Sequence, residues 1–452
     1  MPLTRWLAEY AWLPDHAEPT PDVLIEAEDG RITAVTPLVG GGAPAAGVEV
    51  LGDATRLPGL TLPGLANAHS HAFHRALRGR THGGRGDFWS WRDVMYDVAA
   101  RLDPDSYLAL ARAAYAEMAL AGITCVGEFH YLHHGPEGKH YADPNAMSAA
   151  LVEAAAHAGI RLTLLDTAYL TASVDGAELA GTQRRFGDGD ALRWAERVDA
   201  FRPEDEHVRV GAAIHSVRAV PAEQLATVAG WADRNGVPLH VHLSEQPAEN
   251  DACRAVHGCT PTRLLADHGV LGRHTTAVHA THPTSADVAL LGESRTGVCL
   301  CPTTERDLAD GIGPARRMAE AGSPLSLGSD SHAVVDLFEE ARAVELDERL
   351  RTRKRGHFRA AELVGAATVG GHAALGWGDA GRLSVGDRAD LVTVRLDSAR
   401  TAGVPPVGAF FAATAADVTH VVVDGRTVVA DGRHLTVDVP AELEHAIREV
   451  TA

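Results

Sequence analysis

The chain has 452 residues, 45% hydrophobic and 22% charged, a globular composition that excludes intrinsic disorder and is too long for one small core. Its formal net charge of −19 repels nucleic acid and anionic membrane surfaces at long range, so neither is expected as a partner. No apolar run approaches the roughly 18 to 20 residues that span a bilayer, no secretion signal opens the chain, and five cysteines (Cys125, Cys253, Cys259, Cys299 and Cys301) lack paired spacing, so a soluble cytoplasmic protein is expected.

In chain order, Val23-Leu24-Ile25-Glu26-Ala27 and Arg31-Ile32-Thr33-Ala34-Val35 flank Asp29-Gly30, a hairpin signature. From 61 to 375, strand-like apolar runs alternate with Ala-rich helical stretches. Eight runs end near His71, Tyr131, Tyr169, Ser216, His242, His279, Pro302 and Asp330. Helices such as Pro104 to Ala121 and Ala146 to Ala158 are stopped by Gly122 and Gly159. Repeated βα units predict an α/β fold with a TIM-type (β/α)8 barrel over 61–375, whose chemistry sits at the C-terminal strand ends. Cys299-Leu300-Cys301 reads as small apolar residues on a buried strand. Arg349 to Arg355, with Glu345 and Glu348 nearby, reads as a solvated helix face. The β texture returns in Ala389 to Val394 and in Val421 to Val429, which enclose Asp424-Gly425 and precede Asp431-Gly432. Segments 1–60 and 376–452 are therefore expected to pair into a small β-sandwich.

The strand ends carry a recurring chemistry. His69-Ser70-His71 places two imidazoles on one face of a strand, since residues i and i+2 project together. His240-Val241-His242-Leu243-Ser244-Glu245, His279 and Asp330 follow at later run ends. An isolated H-x-H arises by accident in a chain with 25 histidines, whereas this order of H-x-H, H-x-x-E, His and Asp does not. His69, His71, His242 and Asp330 are the expected ligands of one divalent ion, zinc first and iron(II) as the tolerated alternative. Glu245 suits a catalytic carboxylate just beyond a strand end, which puts His242 at the mouth and leaves His240 to pack or hydrogen-bond below. Lys139 lies in a loop and Lys354 follows the last ligand, so neither can bridge a second ion as a carbamylated lysine; a single ion is expected unless Glu128 bridges another. A bound cation lowers the pKa of its water to about 7. Glu245 would then carry protons to an imine nitrogen and to the leaving amine, with His279 orienting the hydroxide and Asp330 as a second base.

These residues, together with Gly381 to Val392, resemble the amidohydrolase superfamily over nearly the whole chain, and its mononuclear deaminase branch best. That branch hydrolyses C=N bonds and releases ammonia. More narrowly, His69-Ser70-His71-Ala72-Phe73-His74-Arg75-Ala76, Phe88 to Tyr96, Glu128 to His134 and His215-Ser216-Val217-Arg218 resemble the formimidoylglutamate deiminase family. The resemblance implies hydrolysis of an amidine C–N bond, from N-formimidoyl-L-glutamate and water to N-formyl-L-glutamate and ammonia, in histidine degradation. It also implies that His74, Arg92, Tyr131, His215 and Arg218 bind the substrate. Independently of the name, a dicarboxylate calls for fork-shaped donors such as Arg92 and Arg218, with single hydrogen bonds from Tyr131 and His215. His74 stands where many relatives have Gln and can still donate. Relatives are often dimers, so a homodimer is implied.

The plain structural alternatives are that Arg92 pairs with Asp93 or Asp97, that Arg218 caps a helix, that Trp89 and Trp91 pack, and that His130, His133 and His134 order a loop. An aminopurine or cytosine deaminase is the functional alternative, and would need an aromatic, largely uncharged pocket. The unrelated zinc deaminases that combine H-x-E with P-C-x-x-C do not fit, because P-C-x-x-C does not occur. A barrel kept only for partner binding would be expected to have lost part of the set His69, His71, His242, Glu245, His279 and Asp330.

Overall fold

A computed structural model describes residues 3–38, 53–81 and 88–452, the side chains of 88–90 excepted. The N-terminal segment forms β1 (Thr4–Ala11), β2 (Thr20–Glu28), β3 (Arg31–Pro37) and β4 (Thr55–Pro63). The β2–β3 hairpin turns through Asp29 and Gly30, both at positive φ (48° and 76°), the conformation a two-residue hairpin loop demands and glycine adopts without penalty.

The barrel strands follow as β5 (Leu65–Ser70), β6 (Ile123–His130), β7 (Arg161–Ala168), β8 (Val208–Ile214), β9 (Leu239–Leu243), β10 (Thr275–His279), β11 (Gly297–Leu300) and β12 (Leu325–Leu327). Each pairs in parallel with the next, and a bridge between Ser70 and Asp330 joins the last to the first. Asp330 is itself the clasp: its N–H donates to the His69 carbonyl at 3.0 Å and its carbonyl accepts from His71 N–H at 3.3 Å. All eight predicted runs are strands, and the architecture is the expected (β/α)8 barrel.

Seven helices matter below: α1 (Phe88–Arg101), α2 (Pro104–Leu120), α3 (Ala146–Ala158), α4 (Pro247–His257), α5 (Pro302–Asp307), α6 (Leu337–Thr352) and α7 (Val439–Thr451). The start of α2 is set by Asp103, whose carboxylate accepts from Ser106 N–H at 2.9 Å, with Pro104 in the first turn. Of the basic run expected to be a solvated helix face, Arg349, half-buried, and Arg351 lie on α6 and pair with the buried Glu345 at 2.7 Å and Glu348 at 2.6 Å, while Arg353 to Arg355 follow the helix and are exposed.

The C-terminal segment adds β13 (Leu391–Val394), β14 (Val418–Val423), β15 (Arg426–Ala430) and β16 (Arg433–His434). The two terminal segments share one continuous eight-stranded sheet, in the order β16-β15-β14-β13-β4-β1-β2-β3, with β4 pairing β13 across the chain. Trp6, Ile25, Leu57, Leu391 and Val422 form its own apolar core. The chain passes from this sheet to the barrel at Gly64, between β4 and β5. Not all of the C-terminal segment stays with the small sheet: Leu443 and Ala446 of α7 belong to the barrel's core. Among the described residues no helix is long and apolar enough to cross a membrane, and all five cysteines are free.

The two units are fastened by buried charge. Arg161 at the start of β7 is fully buried, pairs with Asp390, and reaches Asp424 at 3.1 Å. Arg161, Arg209 and Arg388 lie 5.1, 4.3 and 4.8 Å from the Trp377 ring centre. Removing one partner of a buried pair leaves the other charge without compensation. Arg161→Met is therefore expected to destabilise the protein by about 3–5 kcal/mol, read as a lowered denaturation midpoint.

Candidate active site

The C-terminal ends of β5, β9 and β12 bring His69, His71, His242 and Asp330 together, all buried, with donor atoms within 4.8 Å of one another. His69 Nε2 lies 3.1 Å from His242 Nε2. Asp330 Oδ1 lies 3.3 Å from His69 Nε2 and 3.4 Å from His71 Nε2. Two backbone carbonyls decide the tautomers: His71 Nδ1–H donates to Phe129 O at 2.9 Å and His242 Nδ1–H to His215 O at 2.9 Å. The Nε2 lone pairs of both rings therefore converge on a carboxylate, an arrangement that fits a divalent cation and is repulsive without one. Burial lowers the pKa of His69, His71 and His242, that of His71 to about 3, so the rings stay neutral. Burial works against the Asp330 carboxylate, but His69, His279 and His71 hold it well below the usual range.

Close approach at the base requires glycine at 328, where a Cβ would lie 2.8 Å from His69 Cβ and 3.0 Å from Cys301 Sγ. Cys299 and Cys301 are buried as expected; Cys301 also comes within 4.8 Å of donor atoms of His279 and Asp330. His240 sits below the cluster, its Nε2–H donating to Ala374 O at 2.9 Å. Glu128 does not face the cluster. It accepts from Ser70 Oγ at 2.9 Å and from Ala72 N–H at 2.7 Å, and burial pushes it up to about 8. Lys139 is exposed beside Glu137.

Glu245 follows β9 and lies on the cluster's open side. Its Oε1 is 3.8 Å from His279 Nε2, which in turn is 3.6 Å from Asp330 Oδ2. Burial disfavours protonated His279, but Glu245, Glu305 and Asp330 raise its pKa well above the ordinary value. The strand ends here are bent into left-handed backbone, at Ser244 (φ 50°), His279 (68°), Ala280 (48°) and Asp330 (43°), a cost the barrel sustains to aim these groups.

A cavity of about 680 Å³ opens over this cluster, lined by His71, His242, Glu245, His279 and Asp330 on one side and by His74, Arg92, Tyr131, His215 and Arg218 on the other. Thus every predicted site residue reaches it except His69, which lies behind the others. Arg92 extends from α1, its guanidinium 5.5 Å from the Tyr96 ring centre. His74 Nε2 and the Tyr131 hydroxyl are 3.0 Å apart, and the His74 ring lies 4.5 Å from that of His71. Arg218 does not cap a helix: its Nη2 is 3.5 Å from Glu245 Oε2 and its Nε 3.1 Å from Glu249 Oε2. Trp91 lines the cavity wall, while the Trp89 side chain lies outside the described residues.

Three participants escape a sequence reading. Glu305, in the first turn of α5, holds His279 Nδ1 at 3.4 Å and accepts from Cys301 N–H at 3.0 Å. Its one signal is an acidic residue three beyond a proline that follows a strand. Glu249 on α4 is the second. The third is Gln183, whose side-chain N–H groups donate to the Tyr96 and Tyr169 hydroxyls, each at 3.1 Å, and so join two walls of the cavity.

Comparison with known proteins agrees with this geometry. The model of the amidohydrolase family matches residues 60–428. The chain is 40% identical over 397 residues to the formimidoylglutamate deiminase of Pseudomonas aeruginosa, spanning 84% of this chain and 87% of that one. It is 32% identical over 444 residues to a 5-methylthioadenosine/S-adenosylhomocysteine deaminase of Halobacterium salinarum, spanning 97% and 94%. A solved structure of a zinc-bound adenosine deaminase from Xanthomonas campestris matches with a TM-score of 0.83 at 26% identity, over 99% of this chain and 97% of that one. The chain belongs to the amidohydrolase family, and it is a hydrolase acting on C–N bonds.

The loop after β6 is ordered by His133 and His134, whereas His130 ends the strand and, among the described residues, its ring nitrogens have no hydrogen-bond partner. His133 Nε2–H donates to Thr167 O at 2.9 Å, and His134 pairs with Asp188 at 3.0 Å. Burial, with Arg197 adding to it, lowers the His133 pKa from 6.5 to about 4. The unfolded chain takes up this proton first as pH falls, so the stability that neutral His133 contributes is whole above 6.5 and is lost on descent to about 4. Denaturation midpoints measured across that window should fall with acidity, and His133→Gln should flatten the slope.

Proposed function

We propose that the protein hydrolyses N-formimidoyl-L-glutamate to N-formyl-L-glutamate and ammonia, as histidine degradation requires. The observation that carries this reading is the entry of two guanidinium groups, Arg92 and Arg218, into the cavity that opens on the His/Asp cluster. A substrate with two carboxylates and one amidine matches two forks facing one proton carrier. Tyr131 and His215 add hydrogen bonds, with His74 steadying the Tyr131 hydroxyl.

His69, His71, His242 and Asp330 would hold the divalent ion, and zinc is proposed from the three-imidazole, one-carboxylate donor set and from the zinc-bound relative. When bound, such an ion supplies a Lewis acid and a water acidified to a pKa of about 7. The remaining work falls to this chain's own side chains. Glu245 takes a proton from the attacking water and passes it to the imino nitrogen as the new C–O bond forms. Asp330 accepts the second proton of that oxygen, and His279 keeps the oxygen aimed at the formimidoyl carbon. The proton held by Asp330 is then relayed through Glu245 to the departing nitrogen, the C–N bond breaks as the carbonyl forms, and ammonia leaves with both carboxylates ionised again.

Zinc-loaded protein is expected to release ammonia from N-formimidoyl-L-glutamate and to leave guanine and adenosine intact. Release from adenosine or guanine alone would move the function to the aminopurine reading that the Halobacterium relative favours. Glu245→Gln is expected to keep its metal by elemental analysis while turnover falls by on the order of 10²–10⁴-fold.

A further inference from the structure

Arg218 stands between two carboxylates of different character. Glu249 is almost completely buried in the first turn of α4, its Oε1 accepting from Ser244 N–H at 2.9 Å and its Oε2 3.1 Å from Arg218 Nε. Glu245 approaches the same guanidinium at Nη2, 3.5 Å away, and lines the open cavity. Ser244 immediately precedes Glu245 and is clamped a second time, its hydroxyl donating to Asn250 Oδ1 at 2.8 Å. One buried carboxylate thus forms an ion pair with Arg218, outside hydrogen-bond geometry, and holds by a hydrogen bond the backbone that carries Glu245.

We infer that Glu249 is a positioning residue that holds Arg218 from its Nε side while Nη2 exchanges Glu245 for a carboxylate of the substrate. This rests on the dicarboxylate reading above. Glu245 is paired with Arg218 through Nη2. An arriving carboxylate takes Nη2 together with Nη1 in the bidentate geometry guanidinium favours, and Glu245 is released toward His279 and the imino nitrogen. The carboxylate then governs the rate of turnover as well as the strength of binding, and a ligand that binds without it leaves the shuttle held.

The test compares kcat and KM for N-formimidoyl-L-glutamate with those for its two monoanionic analogues, N-formimidoyl-4-aminobutyrate and N-formimidoyl-2-aminobutyrate, in the zinc-loaded wild type and in Glu249→Gln. Calorimetric binding of glutarate is measured alongside. The glutamine amide oxygen can still accept from Ser244 N–H, so metal content and melting temperature should hold. In the wild type, one analogue should lose kcat at saturation by about tenfold or more, beyond any change in KM. Glu249→Gln should lose a comparable factor on the diacid, change little on that analogue, and bind glutarate about tenfold more weakly. Equal kcat for all three substrates in the wild type overturns the proposal, as does an equal loss on all three in the variant. If the wild type releases no ammonia from the diacid yet binds glutarate more tightly than the variant does, the proposed reaction fails and the positioning role stands. Equal glutarate binding by both proteins removes the positioning role.

Discussion

The Nε2 atoms of His69 and His242 face each other at 3.1 Å, and backbone carbonyls of Phe129 and His215 hold the ring protons of His71 and His242 on the far side. Everything at the mouth follows from this enforced convergence of lone pairs. The same residue that completes the donor set also closes the barrel, since the main chain of Asp330 bonds to both His69 and His71. Closure of the sheet and assembly of the cation site are therefore one structural event. A barrel that fails to close would scatter the ligands.

Around that centre the charges alternate along a line: Glu249, Arg218, Glu245, His279, Glu305. Each member is compensated by its neighbours, which is how so many ionisable groups are kept in a water-poor cavity. The arrangement also explains the contrast between His279, whose proton is favoured, and the three ligand imidazoles, whose protons are not. The difference lies in the partners each ring is given and not in depth of burial, for all four are buried.

Much of this was legible from sequence because local periodicity carries it. The i, i+2 relation of His69 and His71, the Asp-Gly turns, and the run ends at His242, His279 and Asp330 are all set by backbone geometry within a few residues. Glu305 and Gln183 were not legible, because their roles exist only across loops, with Glu305 and His279 26 positions apart and Gln183 and Tyr96 87 positions apart. The pairing of β4 with β13 is a similar case: alternation marks both segments as strands, but nothing local says that Leu60 will lie beside Val394. For Arg218, the sequence suggests a donor for an anion; the two acidic neighbours that occupy it, Glu245 and Glu249, lie 27 and 31 positions away and emerge only in the fold.

The cavity is divided in a way that bears on descent. The side chains proposed for recognition, His74, Arg92, Tyr131, His215 and Arg218, sit beyond β5, β6 and β8, whereas Glu245, His279, Glu305 and Asp330 sit at or beyond β9 to β12. Loops on one half can be lengthened, shortened or recoloured with new side chains while the half that moves protons is left alone. A lineage built this way can trade one amidine-like or ring substrate for another by remodelling half of a rim, so kinship in such a fold is a surer guide to the bond that is broken than to the molecule that contains it.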